Sequence, residues 1–292
     1  MLGGRPIGRI GFGAMQLAGP GVFGPPRDRD RALAVLRRAV ELGVDHIDTS
    51  QFYGPDVVND LIRDALHPYP EGLRLATKVG ARRDADGGWL PAQRPEELRA
   101  GVEDNLRSLQ MERIDLVNLR LVPTEAQPDV PLAEQLGALE DLRAEGKLEL
   151  VGMSNVTREQ AEAALELVDI AGIQNAYSLL DRSGEDVLEL CRERDIAFVP
   201  FFPLGSAFNG GPGALAADPI VSRVAAKHGA TPSQIALAWL LQRDERILLI
   251  PGTSSVSHLE ENLAAANVAL DAEDLTELEE VEQVGDPLAA AR

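Results

Sequence analysis

An aspartate, a tyrosine and a lysine lie where short apolar segments give way to loops. The stretch 45–54, DHIDTSQFYG, has Asp48 at the end of a strand-like segment and Tyr53 five residues later, and the next such segment ends at Lys78. A lysine in such a position needs a counter-ion, which Asp48 can supply. A lysine cation beside a phenol stabilises the phenolate, so Tyr53 becomes a competent general acid for a carbonyl oxygen. The alternative is a structural salt bridge with a tyrosine packed beside it.

Strand-like and helical periodicities alternate along the 292 residues that must position these side chains. Strand-like segments are 7–17, 44–48, 73–78, 114–122, 148–155, 170–175, 196–202 and 247–252. Helical segments are 27–43, 57–66, 94–110, 132–147, 157–168, 184–195, 219–229, 231–244, 257–266 and 271–284. The alternation predicts an α/β fold, a single (β/α)8 TIM barrel domain over 1–292 with extra C-terminal helices. A doubly wound sheet is the alternative, but its glycine-rich first turn is not found in front of a helix.

Most of the predicted strands end in polar residues. Besides Asp48 and Lys78, these strand ends carry Arg120, Ser154, Asn155, Gln174, Asn175, Gly205, Ser206, Thr253, Ser254 and Ser255. Any one of them alone could be a helix cap or a turn residue. Because the carboxyl ends of parallel strands share one face of a barrel, where its active sites lie, the set predicts a site there.

Composition narrows the class of protein. Hydrophobic residues make up 45% of the chain, which is ample for one core, and the net charge of -19 argues against nucleic acid and anionic membrane surfaces as partners. Cys191, the only cysteine, excludes an intramolecular disulfide and a thiolate metal cluster. With neither a signal peptide nor an apolar run of ~20 residues, the sequence predicts a cytoplasmic protein that acts on a small molecule.

The motifs in combination resemble those of the aldo-keto reductases, from about residue 8 to residue 283. DHIDTSQFYG and LATKVG are similar to the family's catalytic segments, and VGMSNV, IQNAYS, FFPLG and IPGTSSVSHLEENLAA to its cofactor segments. The resemblance implies that Asp48 pairs with Lys78 and that Lys78 tunes Tyr53. Tyr53 would then protonate the carbonyl oxygen as hydride arrives from NADPH, without a metal.

The resemblance also implies which residues hold the cofactor. Ser154, Asn155 and Gln174 match positions that hold the nicotinamide carboxamide, and Phe201 matches a residue stacked on the nicotinamide ring. The other expected contacts are Leu204, Gly205 and Ser206 at the pyrophosphate, Thr253, Ser254, Ser255 and His258 at the adenosine 2'-phosphate, and Glu261 and Asn262 at the adenine.

Two positions depart from the family pattern. Arg120 stands where a histidine usually completes the catalytic set; a charged arginine donates hydrogen bonds but cannot act as a base. We expect it to polarise the carbonyl, and with pyridoxal to bind the 3-oxide of the ring. His258 and Gly252 stand where an arginine or a lysine often faces the 2'-phosphate. A histidine and hydroxyls hold a phosphate less strongly than a bidentate arginine, so NADPH is the expected cofactor and NADH remains an alternative.

The substrate side is expected to have aromatic walls. The candidates are Phe23, Phe52, Trp89 and Phe202, within a rim formed by the loops 18–28, 122–131 and 206–219. Segments 13–29, 117–120 and 198–205 resemble the pyridoxal-reducing branch of the family. The resemblance thus implies an NADPH-dependent oxidoreductase that reduces an aldehyde, with pyridoxal to pyridoxine as the specific reaction.

Three other functions fit part of the sequence. A reductase of another aldehyde or ketone in secondary metabolism would carry the same motifs. A barrel aldolase would form a Schiff base on Lys78, although the Asp-Tyr-Lys set and the serine-rich loop disfavour it. A nucleotide-loaded binding subunit without turnover, as in the related potassium-channel β subunits, is disfavoured by the intact Asp48, Tyr53 and Lys78.

Overall fold

Parallel strands form the centre of the molecule and follow one another in chain order around it. The structure, a computed structural model, describes residues 1–122, 130–206 and 210–284. Its parallel strands are β1 (Phe12–Gly13), β2 (His46–Asp48), β3 (Arg74–Arg83), β5 (Ile114–Arg120), β6 (Leu148–Ser154), β7 (Ile170–Gln174) and β8 (Ala197–Phe198), while β4 (Trp89–Ala92) lies antiparallel beside β3. Because the parallel strands point the same way, their carboxyl ends meet at one face.

A closing segment, residues 247–249, completes the barrel between the first and last strands. It forms one parallel bridge to β8 through Phe198 and another to the residues before β1 through Ile10. The N–H of Gly11 donates to the carbonyl of Leu249 at 2.8 Å on the same seam. The predicted (β/α)8 architecture is confirmed. Because β4 lies outside the parallel ring, the closing segment takes its eighth position, and it pairs there through isolated bridges.

Helices surround the barrel and bury their apolar faces against it. They are α1 (Arg29–Glu41), α2 (Val57–Leu66), α3 (Pro95–Leu109), α4 (Leu132–Ala144), α5 (Arg158–Leu167), α6 (Glu185–Arg194), α7 (Gly211–Ala217), α8 (Pro219–His228), α9 (Pro232–Arg243), α10 (Val256–Ala264) and α11 (Ala272–Glu279). The core lies between the two layers, where strand residues such as Val117 and Ile173 pack with helix residues such as Leu136 and Leu188. No helix in the described part of the chain is long and apolar enough to cross a membrane.

Local sequence explains where several helices begin. Thr157 and Thr231 start α5 and α9, and each accepts a hydrogen bond from the backbone of a glutamine three residues later. Those glutamines bond back to the threonine N–H, so both threonines form capping boxes. This signal lies in the sequence itself, as TREQ and TPSQ.

Some elements differ from the sequence predictions. The predicted strand 196–202 forms a ladder only at Ala197–Phe198, with an isolated bridge at Phe201, because Pro200 lacks the N–H that a ladder requires. The predicted strand 7–17 forms a ladder only at Phe12–Gly13, with an isolated bridge at Ile10, and continues as a 3-10 helix.

Two elements were not predicted, and one helix ends five residues before its predicted end. These are strand β4, which forms a hairpin with β3, helix α7, and helix α11, which ends at Glu279 rather than near residue 284. Beyond α11 the backbone makes a hydrogen bond to another part of the chain: the N–H of Val284 donates to the carbonyl of Leu180 at 2.9 Å.

Candidate active site

Asp48, the last residue of β2, and Lys78, in the middle of the neighbouring strand β3, form a buried ion pair. The Lys78 Nζ donates to Asp48 Oδ1 at 2.5 Å and to the carbonyl of Thr49 at 3.1 Å. The two side chains are only 3% and 6% exposed. Burial acts to lower the pKa of Lys78, but the Asp48 carboxylate and the Tyr53 phenol outweigh it, so the pKa is raised. The lysine therefore carries its charge at neutral pH.

Tyr53 lies over this pair from the loop between β2 and α2. The Lys78 Nζ is 5.1 Å from the centroid of the Tyr53 ring, and the tyrosine is buried. The loop turns tightly: the Tyr53 N–H donates to the carbonyl of Ser50 at 3.1 Å, and Gly54 follows with a φ of 89°. The buried Tyr53 ring is thus held beside the Asp48–Lys78 pair by a tight turn of the chain.

Gln174, at the end of β7, holds the second oxygen of Asp48. Its Nε2 donates to Asp48 Oδ2 at 2.8 Å, so both carboxylate oxygens have a donor. The Gln174 Oε1 is buried and has no hydrogen-bond partner among the described residues. Gln174 therefore offers an acceptor, and not its amide nitrogen, to a ligand.

Asn155 offers a second unpaired acceptor at the end of β6. Its backbone is left-handed, with a φ of 59°, and its Nδ2 donates to the carbonyl of Leu121 at 2.9 Å. Its Oδ1 is buried and unpaired within the described part of the chain, like the Gln174 Oε1. Buried acceptors are costly to leave unpaired. Two of them at neighbouring strand ends fit a ligand that donates N–H groups, as the carboxamide of a nicotinamide ring does.

Arg120, at the end of β5, lies between Ser154 and Phe201. Its Nη1 donates to the Ser154 Oγ at 3.3 Å, and its Cζ is 5.4 Å from the centroid of the Phe201 ring. Asn118, two residues earlier on the same face of the strand, pairs in register with Lys78. The structure thus places a second cation, Arg120, on β5, the strand that pairs with the strand of Lys78.

The predicted pyrophosphate residues follow Phe201 in a turn. Phe201 bridges Ala176 and meets Phe202 edge to face, with centroids 5.2 Å apart. Gly205 has a φ of 83°, which favours glycine, and its N–H donates to the carbonyl of Phe202 at 2.9 Å. Leu204 is half-buried and Ser206 buried.

The predicted 2'-phosphate residues lie at the start of α10. Ser254 and His258 are exposed, whereas Thr253 and Ser255 are nearly buried. The Oγ atoms of Ser255 and Ser257 are 2.9 Å apart. Ser257 was not among the predicted residues, although a run of hydroxyls at a helix N-terminus, where phosphates bind well, could have indicated it.

Two residues of α10 were predicted to contact the adenine, and Gly252 was noted as a position where the family often has a lysine. Glu261 and Asn262 lie on α10, with Glu261 half-buried and Asn262 buried. At Gly252 a Cβ atom would lie 2.5 Å from the carbonyl oxygen of Gly13, so a lysine does not fit there without a shift of the backbone.

Three of the four predicted substrate-side aromatics lie together. Phe52 meets Tyr53 and Trp89 edge to face, with centroids 5.4 and 5.2 Å apart. The Arg83 Cζ lies 4.2 Å from the Trp89 ring centroid and 5.5 Å from that of Phe23. Sequence reasoning missed Arg83 because it lies beyond residue 78, where the strand was predicted to end.

The fourth aromatic, Phe202, packs on Phe201 instead. Of the predicted rim loops, residues 123–129 and 207–209 lie outside the described residues. The described residues contain no group of three or more histidine, cysteine or acidic side chains that could hold a metal ion.

Comparison with known proteins identifies relatives over the whole barrel. The model of the Aldo/keto reductase family matches residues 9–283. The chain is 48% identical over 280 residues to Pyridoxine 4-dehydrogenase of Escherichia coli, a match that covers 95% of this chain and 96% of that protein. It is 38% identical to an uncharacterized oxidoreductase of Schizosaccharomyces pombe, over 96% of this chain and 88% of that one.

A solved structure extends the similarity. An aldo/keto reductase from Klebsiella pneumoniae, in complex with NADP and acetate, matches with a TM-score of 0.77 and 26% identity, over 94% of this chain and 90% of that one.

Proposed function

The chain belongs to the aldo/keto reductase family, and from this premise we propose that it reduces an aldehyde with NADPH, specifically pyridoxal to pyridoxine. The observation that carries the reductase is the buried Asp48–Lys78 pair beside Tyr53. The choice of pyridoxal is supported by the 48% identity to Pyridoxine 4-dehydrogenase. We place the reaction in the cytoplasm, with a small-molecule carbonyl compound as the partner and no nucleic acid, membrane or metal.

Tyr53 is the proton donor of this proposal. Its hydroxyl protonates the carbonyl oxygen of the aldehyde, while Lys78, charged because Asp48 pairs with it, stabilises the phenolate that remains. Asp48 is held in turn by Gln174, so the pair keeps its position as the proton leaves. These four side chains supply the proton and the electrostatics of the reduction.

NADPH, when bound, supplies the hydride. The unpaired oxygens of Asn155 and Gln174 would accept from its carboxamide, and Ser154 pairs in register with Gln174. Phe201 would stack on the nicotinamide ring. The hydroxyls before α10 and His258 would hold the 2'-phosphate, and with neither arginine nor lysine at Gly252 or His258, NADH is the alternative.

Arg120 replaces the usual histidine in this scheme. A guanidinium donates only, so in our proposal it polarises the carbonyl and binds the 3-oxide of the pyridoxal ring. Its contact with the Ser154 Oγ, at 3.3 Å, would orient it between the cofactor residues and the substrate.

Oxidation of NADPH, followed by absorbance, tests the proposal. The substrates are pyridoxal, pyridoxal phosphate and a panel of small aldehydes and ketones, each repeated with NADH. Saturable turnover of pyridoxal above the panel supports the specific reaction. Turnover only with other carbonyl compounds keeps the reductase and rejects pyridoxal. If no carbonyl compound is reduced while NADPH still binds, the protein is a binding subunit and the proposal fails.

A further inference from the structure

We propose that Arg83 is a positioning residue that pins residues 19–24, the entrance loop, against the β3–β4 hairpin and so sets the aromatic wall of the substrate pocket. The inference rests on the proposed function, because it assigns a role in binding the aldehyde. Arg83 would touch neither the reacting atoms nor the cofactor.

The guanidinium of Arg83 bonds on all three of its nitrogens to backbone carbonyls. Its Nε donates to Gly87 at 3.0 Å within the hairpin, its Nη2 to Gly21 at 3.0 Å and its Nη1 to Val22 at 3.4 Å in the entrance loop. The planar fork of an arginine suits such divergent acceptors, and a lysine ammonium cannot reproduce it. Arg83 therefore joins the entrance loop to the hairpin.

The ring contacts of Arg83 lead towards the proposed catalytic tyrosine. Its guanidinium lies 4.2 Å from the Trp89 ring centroid, Trp89 meets Phe52, and Phe52 meets Tyr53. On the loop side it lies 5.5 Å from the Phe23 ring centroid. Moving Arg83 would therefore move both Phe23 and Trp89, which we assign to the substrate wall.

The entrance loop also needs to be held, because Val22 has a strained backbone. Its φ is 58°, a left-handed conformation that a β-branched residue rarely adopts. Such strain persists only where the surroundings fix it. The Val22 carbonyl accepts from Arg83 and also, at 3.1 Å, from the N–H of Gly54, the residue after Tyr53. The base of the loop is closed by the Gly19 N–H, which donates to the carbonyl of Gly24 at 2.9 Å.

The same contacts distinguish positioning from anion binding. An arginine at a pocket rim could bind the phosphate of pyridoxal phosphate, but this one has a carbonyl on each nitrogen and an aromatic ring against its face. We therefore expect its loss to affect neutral and anionic aldehydes alike.

The test compares Arg83→Met and Arg83→Lys with Arg82→Met, a matched control at the exposed neighbouring position. KM and kcat are measured for pyridoxal and pyridoxal phosphate, and the Kd for NADPH by fluorescence. We expect both Arg83 variants to raise KM about ten-fold for both aldehydes, with kcat and the NADPH Kd nearly unchanged, since ground-state positioning is lost. The control should match the wild type.

Amide hydrogen exchange makes the clamp testable without turnover. The N–H groups of Gly19 and Gly54 donate to entrance-loop carbonyls, so in Arg83→Met both should exchange about ten-fold faster than in Arg82→Met. A KM change confined to pyridoxal phosphate, or unchanged exchange at both glycines, would overturn the proposal. If the wild type reduces no carbonyl compound, the proposed function fails, and the exchange result still decides whether Arg83 holds the loop.

Discussion

At the residue scale, the proposed chemistry depends on one hydroxyl. The ring of Tyr53 packs edge to face on Phe52, so Tyr53→Phe keeps the packing and removes only the proton donor. We expect turnover to fall by about 10²–10⁴, the usual contribution of a general acid, with the NADPH Kd unchanged. Steady-state kinetics and a fluorescence titration of NADPH measure the two effects.

Tyr69→Phe is the matched control for that variant. The Tyr69 hydroxyl donates to the carbonyl of Leu109 at 2.7 Å, outside the site. Its loss should cost about 1 kcal/mol of unfolding free energy and leave turnover unchanged. A Tyr53→Phe enzyme that kept more than a small fraction of its activity would refute the acid assignment.

The proposed role of Arg120 is tested by comparing two substrates, one with a ring oxide and one without. If its guanidinium binds the 3-oxide of pyridoxal, Arg120→Ala loses a charge-assisted hydrogen bond of about 1.5–3 kcal/mol, equivalent to a loss in kcat/KM of roughly 10–150-fold. An aromatic aldehyde without a ring oxide should lose less, because only the polarising contact disappears. The ratio of kcat/KM for the two aldehydes is the measurement, and pyridoxal turnover that survives the change would contradict the role.

The sequence predicted that Asp48, Tyr53 and Lys78 lie together, but not the contacts that hold the residues around them. Asp48, Tyr53 and Lys78 could be predicted to meet because Asp48 and Lys78 lie on consecutive parallel strands, β2 and β3, which pair with each other. Arg83 could not, because its partners Gly21 and Val22 are about sixty residues away along the chain. Nor did the sequence show that Gln174 turns its amide nitrogen to Asp48.

At the element scale, helices were predicted more closely than strands. Helix α2 has its predicted bounds, Val57–Leu66, since helical periodicity and its start and stop signals are local. Strand bounds depend on partners that are distant in sequence, so β3 extends beyond the prediction to Arg83, and β4 appears only because β3 pairs with it.

The junction between α8 and α11 gives a pH-dependent prediction. Burial opposes ionisation of Asp274, but hydrogen bonds from Lys227, the backbone N–H of Asp271 and His228 outweigh it and lower its pKa to about 2. A carboxyl whose pKa falls on folding stabilises the protein above its unfolded pKa. That stability is lost as the pH falls from about 4 to about 2.

Asp274→Asn should therefore lower the free energy of unfolding by about 2 kcal/mol at neutral pH, because the pKa of Asp274 falls by nearly two units on folding. The difference from the wild type should shrink as the pH falls below 4, in denaturant titrations at several pH values. Asp195→Asn is the control. The Asp195 side chain is 88% exposed in its pair with Arg246, so its loss should change the free energy of unfolding little. A difference that did not vary with pH would mean that Asp274 acts through packing and not charge.

At the scale of the whole molecule, one seam closes the barrel and leads directly into residues 253–255, the predicted cofactor loop. Between β1 and the residues after the closing segment, Gly13 and Gly252 face each other: a Cβ on Gly13 would lie 2.4 Å from the carbonyl oxygen of Ile250, and one on Gly252 would lie 2.5 Å from that of Gly13. Two backbones approach there with no room for a side chain. Thr253 follows at once, so the seam also positions the predicted phosphate hydroxyls.

Gly252→Ala should therefore damage closure and cofactor binding together. The added methyl meets backbone and not a flexible side chain, so we expect a loss of about 1–3 kcal/mol in unfolding free energy, as for other overpacked sites. The Kd for NADPH should rise in the same variant, because the seam must open to admit the methyl.

Gly137→Ala is the control. Gly137 is exposed on α4 and nothing lies within 4 Å of the new methyl, so the change should stabilise the helix by about 0.5–1 kcal/mol. Denaturant unfolding and NADPH titration of both variants decide the matter. If Gly252→Ala lost stability but bound NADPH as the wild type does, the seam would close the barrel without positioning the cofactor loop.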